Sequence, residues 1–137
     1  MRNRVPPVLA AIVAVTGTLG AAGCTERSCS AVLFSDQVVV HVARPATMGQ
    51  PTALRVCVDT ACQERPVDRS LTDQAIPVAV GEGRRTVVVT GRDRDGRQLF
   101  TGSTEVTTVA HQPAGSGCMT IQLAKVTVTD SGIVPTN

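Results

Sequence analysis

The sequence predicts an all-β protein: a single antiparallel β-sandwich of about seven strands that follows a cleaved signal peptide. Three observations carry this. Val and Thr, the β-branched residues that suit a pleated, half-buried surface, number 22 and 17 among the 137 residues. Short apolar runs alternate with Gly-, Pro- and Asp-containing turns at the spacing of a sandwich or barrel. No stretch after the leader carries the 3.6-residue periodicity of an amphipathic helix. A chain of this length makes one domain.

The leader is read first. Met1-Arg2-Asn3-Arg4 gives a positive front, Val8 to Leu19 an apolar middle, and Gly20-Ala21-Ala22-Gly23 a small-residue end before Cys24. The apolar run is too short to cross roughly 30 Å of hydrocarbon as a permanent helix, and the three-part pattern is that of an export signal. Residues 1–23 are therefore expected to be a signal peptide, 24–29 a short tether and 30–137 the folded domain.

The strands follow in order. Val32 to Phe34 and Gln37 to Val42 make an opening strand or bulged pair. Thr52 to Val58 places Leu54, Val56 and Val58 on one face and Ala53, Arg55 and Cys57 on the other. Cys62 to Val67, Ala75 to Val80, Arg85 to Gly91 and Gln98 to Thr107 come next. Asp95-Gly96 between the last two is expected to form a tight hairpin turn with two positive φ angles. The final strand, Met119 to Thr129, changes its apolar parity from Met119, Ile121 and Leu123 to Val126 and Val128, so a β-bulge is expected near Ala124-Lys125.

Five cysteines divide into Cys24, at the end of the leader, and four others. In an exported, oxidising setting those four, Cys29, Cys57, Cys62 and Cys118, read as two disulfides among three connectivities. A two-residue turn at Asp59-Thr60 would set Val58 opposite Ala61 and Cys57 opposite Cys62, at a separation of about 4.5–5.5 Å that permits a bond. Cys29 and Cys118 remain, closing a loop of about 90 residues and tying the first strand to the last. With only Phe34 and Phe100 as aromatics, such staples compensate for a thin core. A C-x4-C metal site or a redox pair is the competing use of Cys57 and Cys62.

Ala21-Ala22-Gly23-Cys24 resembles the lipobox of bacterial lipoproteins, with Ala21 where Leu is commonest. The resemblance implies diacylglycerol on the Cys24 thiol and cleavage just before it; ordinary secretory cleavage near Ala22 is the alternative. With Cys29 locked into the fold, Thr25 to Ser28 span about 14 Å at full extension, which sets the domain close to the membrane. Together with the early cysteine, Val56-Cys57-Val58-Asp59-Thr60-Ala61-Cys62 and Val87-Val88-Val89-Thr90-Gly91-Arg92-Asp93-Arg94-Asp95-Gly96, this resembles small uncharacterised actinobacterial lipoproteins with an immunoglobulin-like or prealbumin-like sandwich. Arg outnumbers Lys twelve to one, which suits a GC-rich coding sequence. The buried Trp and tyrosine corner of antibody domains are absent.

Composition weighs against several functions. Without Trp or Tyr there is no ready platform for sugars, unpaired bases or quaternary ammonium groups. Once Arg2 and Arg4 leave with the leader, eleven basic residues face eleven acidic ones, so nucleic acid is not an expected partner. Neither His41, in a strand, nor His111, in the segment 107–117, accompanies a nucleophile motif. Ser116 in Gly115-Ser116-Gly117 lacks the helix that follows a hydrolase serine. Asp93-Arg94-Asp95-Gly96 has a calcium-loop look but no further carboxylate at loop distance. No catalytic residue, metal site or cofactor is therefore assigned. Arg84, Arg85, Arg92, Arg94 and Arg97 gather around one hairpin and form the candidate binding surface, for an envelope protein or an anionic surface polymer, diluted by Glu82, Asp93 and Asp95. The loop from Ala110 to Gly117 is either a second contact or a plain connection. The expected function is that of a non-enzymatic, lipid-anchored binding or accessory module on the outer face of the cytoplasmic membrane; a small envelope hydrolase and a purely structural envelope protein are the alternatives.

Overall fold

A computed structural model describes Cys29, residues 33–42 and residues 49–136. Among these residues there is no helix, and nine strands make two packed sheets: β1 (Gln37–Val42), β2 (Ala53–Val58), β3 (Ala61–Pro66), β4 (Asp73–Pro77), β5 (Arg84–Arg92), β6 (Gln98–Thr107), β7 (Val109–His111), β8 (Ile121–Thr129) and β9 (Gly132–Pro135). One sheet runs β4-β1-β8-β7, with β9 also on β8, and the other runs β3-β2-β5-β6. The β-sandwich expectation is met, with one pair of opposite sense. β1 and β8 lie parallel, from Gln37 opposite Leu123 to Val42 opposite Val128, and every other pairing is antiparallel.

Between the sheets lies a core made almost wholly of valine. Val38 and Val40 of β1, Ile76 of β4, and Ala124, Val126 and Val128 of β8 meet Leu54, Val56 and Val58 of β2, Val87 and Val89 of β5, and Val106 of β6. Each fully buried Val stabilises the fold by about 1.5–3 kcal/mol relative to an exposed one. β-branching gives these side chains few rotamers to lose in a strand. Backbones also approach closely. The Phe100 ring covers Cα of Gly91, where any side chain would overlap it, and a Cβ on Gly102 would lie 2.7 Å from Cγ1 of Ile133. Phe100 thereby packs on the core from β6, while Phe34 lies outside any strand.

Several element bounds differ from expectation. Phe34 is not in a strand and Leu33 is 87% exposed, while Val32 lies outside the described residues. The strand expected over Ala75–Val80 ends at Pro77, because Asp36 takes over the backbone beyond it. The Asp36 carbonyl accepts from Val78 N at 3.2 Å, and its carboxylate accepts from Val80 N and Gly81 N. The expected bulge at Ala124-Lys125 is absent, since the β1–β8 register runs unbroken from Leu123 to Val128. Alternation alone puts Ile121 and Leu123 on the opposite face from Ala124, Val126 and Val128.

The Asp95-Gly96 hairpin forms, but only Gly96 takes positive φ, 78°. Gly96 N donates to the Asp93 carbonyl at 3.1 Å, and the pairing register slips between Gly91 and Arg92. This is the longer hairpin with a glycine bulge, not the two-residue turn. Val109–His111, expected as loop, is strand β7: the chain crosses from one sheet to the other at Thr108, whose N–H donates to Gly83 O while its Oγ1 accepts from Gly83 N, both at 2.9 Å.

Both disulfides are present as expected, Cys57–Cys62 between directly opposed residues of β2 and β3, and Cys29–Cys118 with Cα atoms 5.6 Å apart. The chain-entropy model assigns about 2 kcal/mol to a closure of 5 residues and about 4–5 kcal/mol to one of 89.

Candidate functional site

The sandwich has two unlike poles. At one, Cys118 in the β7–β8 connection holds Cys29, and around it gather the Asp59-Thr60 turn, the segment between β4 and β5, and Arg84 and Arg85. At the other lie the 93–97 hairpin, the β3–β4 connection and the β8–β9 turn. Cys24, the expected lipid acceptor, lies outside the described residues.

This polarity divides the five arginines expected to cluster. Arg85 and Arg92 are seven residues apart on one strand, roughly 23 Å. At the Cys29 pole, Arg84 lies 3.8 Å from Glu105, and Arg85 lies 3.4 Å from Asp59 and donates to the Glu82 carbonyl at 2.8 Å. At the far pole, Arg92 is 3.9 Å from Glu64, and Arg97 is 3.0 Å from Asp93 and 4.0 Å from Asp95. Arg94 has no ionic partner among the described residues. The far-pole arginines therefore surround one hairpin as a group of three, and two of them already carry carboxylate neighbours.

Asp93 organises that hairpin. Oδ1 accepts from Asp95 N and Arg97 N, both at 2.9 Å, and Oδ2 accepts from Arg97 Nε at 3.0 Å. Desolvation pushes its carboxyl up, but the bonds and charge of Arg97 and the Asp95 N–H outweigh this and hold it below the usual range. Beneath the same pole, the buried Gln74 replaces a core residue on β4. Its Nε2 donates to the Asp68 and Leu71 carbonyls, each at 2.8 Å, and its Oε1 accepts from Asp68 N at 2.9 Å. The loop it holds edges a cleft of about 170 Å³ with Val67, Arg69 and Leu71 in its lining.

At the Cys29 pole the unforeseen residue is Asp36. Oδ1 accepts from Gln122 N at 2.8 Å, and Oδ2 from Gly81 N at 3.0 Å and Val80 N at 3.3 Å, so one carboxylate joins the start of β8 to the β4–β5 connection. Desolvation raises its pKa, and the three N–H bonds together bring it below the usual carboxylate range. Gln74 had a signal in sequence, its shared parity with buried Ile76. Asp36 had none, because its donors are 44 to 86 residues away.

The two histidines do not share a site. His41 Nδ1 lies 2.6 Å from Asp73 Oδ1 on the exposed face of the β1–β4 pair. His111 is on β7 and lines a cleft of about 530 Å³ with Val109, Leu123, Lys125 and Pro135. Their register partners on β8, Thr127 and Ile121, are six residues or roughly 20 Å apart. Ser116 lies in the β7–β8 connection. Among the described residues no group of three His, Cys, Asp or Glu side chains is placed to hold a metal ion, and no helix is long and apolar enough to cross a membrane. No family model, curated protein or solved structure matches this chain.

Proposed function

We propose that the chain is a lipid-anchored, extracytoplasmic β-sandwich that serves the cell envelope as a non-enzymatic binding or accessory module, of the kind found among small actinobacterial lipoproteins. The observation that carries this reading is the Cys29–Cys118 bond. It fixes the chain to one pole of a rigid domain only five residues after Cys24. A diacylglycerol on Cys24 then holds that pole against the outer face of the cytoplasmic membrane and turns the Arg92–Arg97 hairpin outward. Two disulfides suit an oxidising compartment. The partner is an envelope protein or an anionic surface polymer that meets the far pole.

The test is expression of the full chain and its Cys24→Ala variant in an actinobacterial host, with membrane fractionation, intact mass and crosslinking. Expected are a diacylated Cys24 start in the membrane fraction, release of the variant, and a crosslinked partner lost when Arg92, Arg94 and Arg97 are replaced together. An unmodified Cys24 on protein recovered from the medium would overturn the anchoring. A captured partner indifferent to the three arginines would overturn the choice of surface.

A further inference from the structure

Cys57 and Cys62 face each other in uninterrupted register, Val58 with Ala61, Cys57 with Cys62 and Val56 with Gln63, so the hairpin is already closed by its turn and its ladder. The bond between them closes the shorter of the two disulfide loops, 5 residues against 89, and so constrains the unfolded chain less. It also stands outside the packing. Neither cysteine belongs to the core cluster, and alternation puts both on the outward face of their sheet, in a cross-strand row with Val88 and Ser103. Cys57 is half-buried on a strand with neighbours on both sides, whereas Cys62 is exposed on β3, which among the described residues is an edge strand paired only with β2.

We propose that Cys57–Cys62 is a thiol–disulfide exchange site, and that the sulfur attacked is Cys62, by the thiolate of a protein dithiol. In the first step that thiolate bonds to Cys62 Sγ, the Cys57–Cys62 bond breaks, and its electron pair leaves on Cys57 as a thiolate that takes up a proton. In the second, the dithiol's other thiolate attacks its own sulfur in the mixed disulfide and releases Cys62 as a thiolate, which is protonated. The partner ends oxidised and the two cysteines reduced, two electrons and two protons having passed. Because turn, ladder and core survive the step, the domain exchanges this bond while folded, and Cys29–Cys118 remains its staple. The inference stands apart from any lipid on Cys24.

The purified protein with both bonds formed is treated with increasing dithiothreitol under native conditions. Free thiols are then alkylated and located by peptide mass spectrometry. Cys57 and Cys62 are expected to open at reductant concentrations roughly tenfold or more below those that open Cys29–Cys118, with the sheet signal in circular dichroism kept. Opening of Cys29–Cys118 first or together with it, or loss of the sheet as Cys57–Cys62 opens, overturns the proposal. The attacked sulfur is tested by the reaction of Cys57→Ala and Cys62→Ala with an aromatic disulfide: Cys62 in the first should react roughly tenfold faster than Cys57 in the second, and equal or reversed rates overturn its assignment.

Discussion

Removing the Asp36 carboxylate tests how this aromatic-poor sandwich is held together. In Asp36→Ala three backbone donors, Val80 N, Gly81 N and Gln122 N, lose their acceptor at once. A hydrogen bond to a charged group contributes about 1.5–3 kcal/mol, and a donor that regains water recovers part of that. Asp36 is half-buried, so the three together should cost about 2–3 kcal/mol, or roughly 10–20 °C in Tm for a domain of this size. Asp36→Asn keeps one oxygen and should lose about half as much. The pH dependence is a second readout. The folded carboxyl titrates below its unfolded value of about 3.9, so its contribution is complete above about pH 5 and disappears as pH falls through the folded pKa. Thermal unfolding followed by circular dichroism between pH 7 and pH 3 should show the wild type losing stability along this acid limb and Asp36→Asn losing less. A Tm for Asp36→Ala within 2–3 °C of wild type, roughly what 0.5 kcal/mol would give, with an unchanged acid limb, would refute the clamp.

Three further outcomes are expected. Gln74→Leu keeps the volume but strands two carbonyls and one N–H, so it should cost about 2–4 kcal/mol and speed amide hydrogen exchange at Asp68 and Leu71. Gly102→Ala forces a methyl toward Ile133 and should cost about 1–3 kcal/mol, while Ile133→Ala in the same chain should recover part of the loss in a double-mutant cycle. Asp93→Ala should leave the core intact but free the hairpin, seen as faster exchange at the Asp95 and Arg97 amides and little change in Tm.

What was legible in the sequence was whatever is written at short range. The period of two in Leu54, Val56 and Val58 showed which face of β2 is buried, and Asp59-Thr60 set the register that opposes Cys57 to Cys62. Contacts made across the fold were not legible. Asp36 is silent because its donors come from β8 and from the β4–β5 connection, far away in sequence. Ile121 and Leu123 suggested a bulge because Ile121 is buried although it has the opposite parity from Ala124, Val126 and Val128, and a strand that buries residues on both parities has the same pattern as a shifted one. The five arginines appeared to gather because nearness in sequence was taken for nearness in space, whereas a strand carries Arg85 and Arg92 to opposite poles.

The parallel pairing of β1 with β8 is what gives the domain its polarity. Parallel neighbours begin at the same end, so the segment entering β1 and the segment entering β8 meet at one pole, and Cys29 and Cys118 come within bonding distance there. Had β8 lain antiparallel to β1, Cys118 would sit a strand length away, roughly 20 Å for six residues, too far for a bond between Cα atoms that must lie within about 7 Å. The same sense of β8 sends its far end, and with it the turn into β9, to the pole of the Arg92–Arg97 hairpin. Under the proposed anchoring, one choice of strand direction therefore determines both which end of the sandwich is tied down and which loops are free to meet a partner.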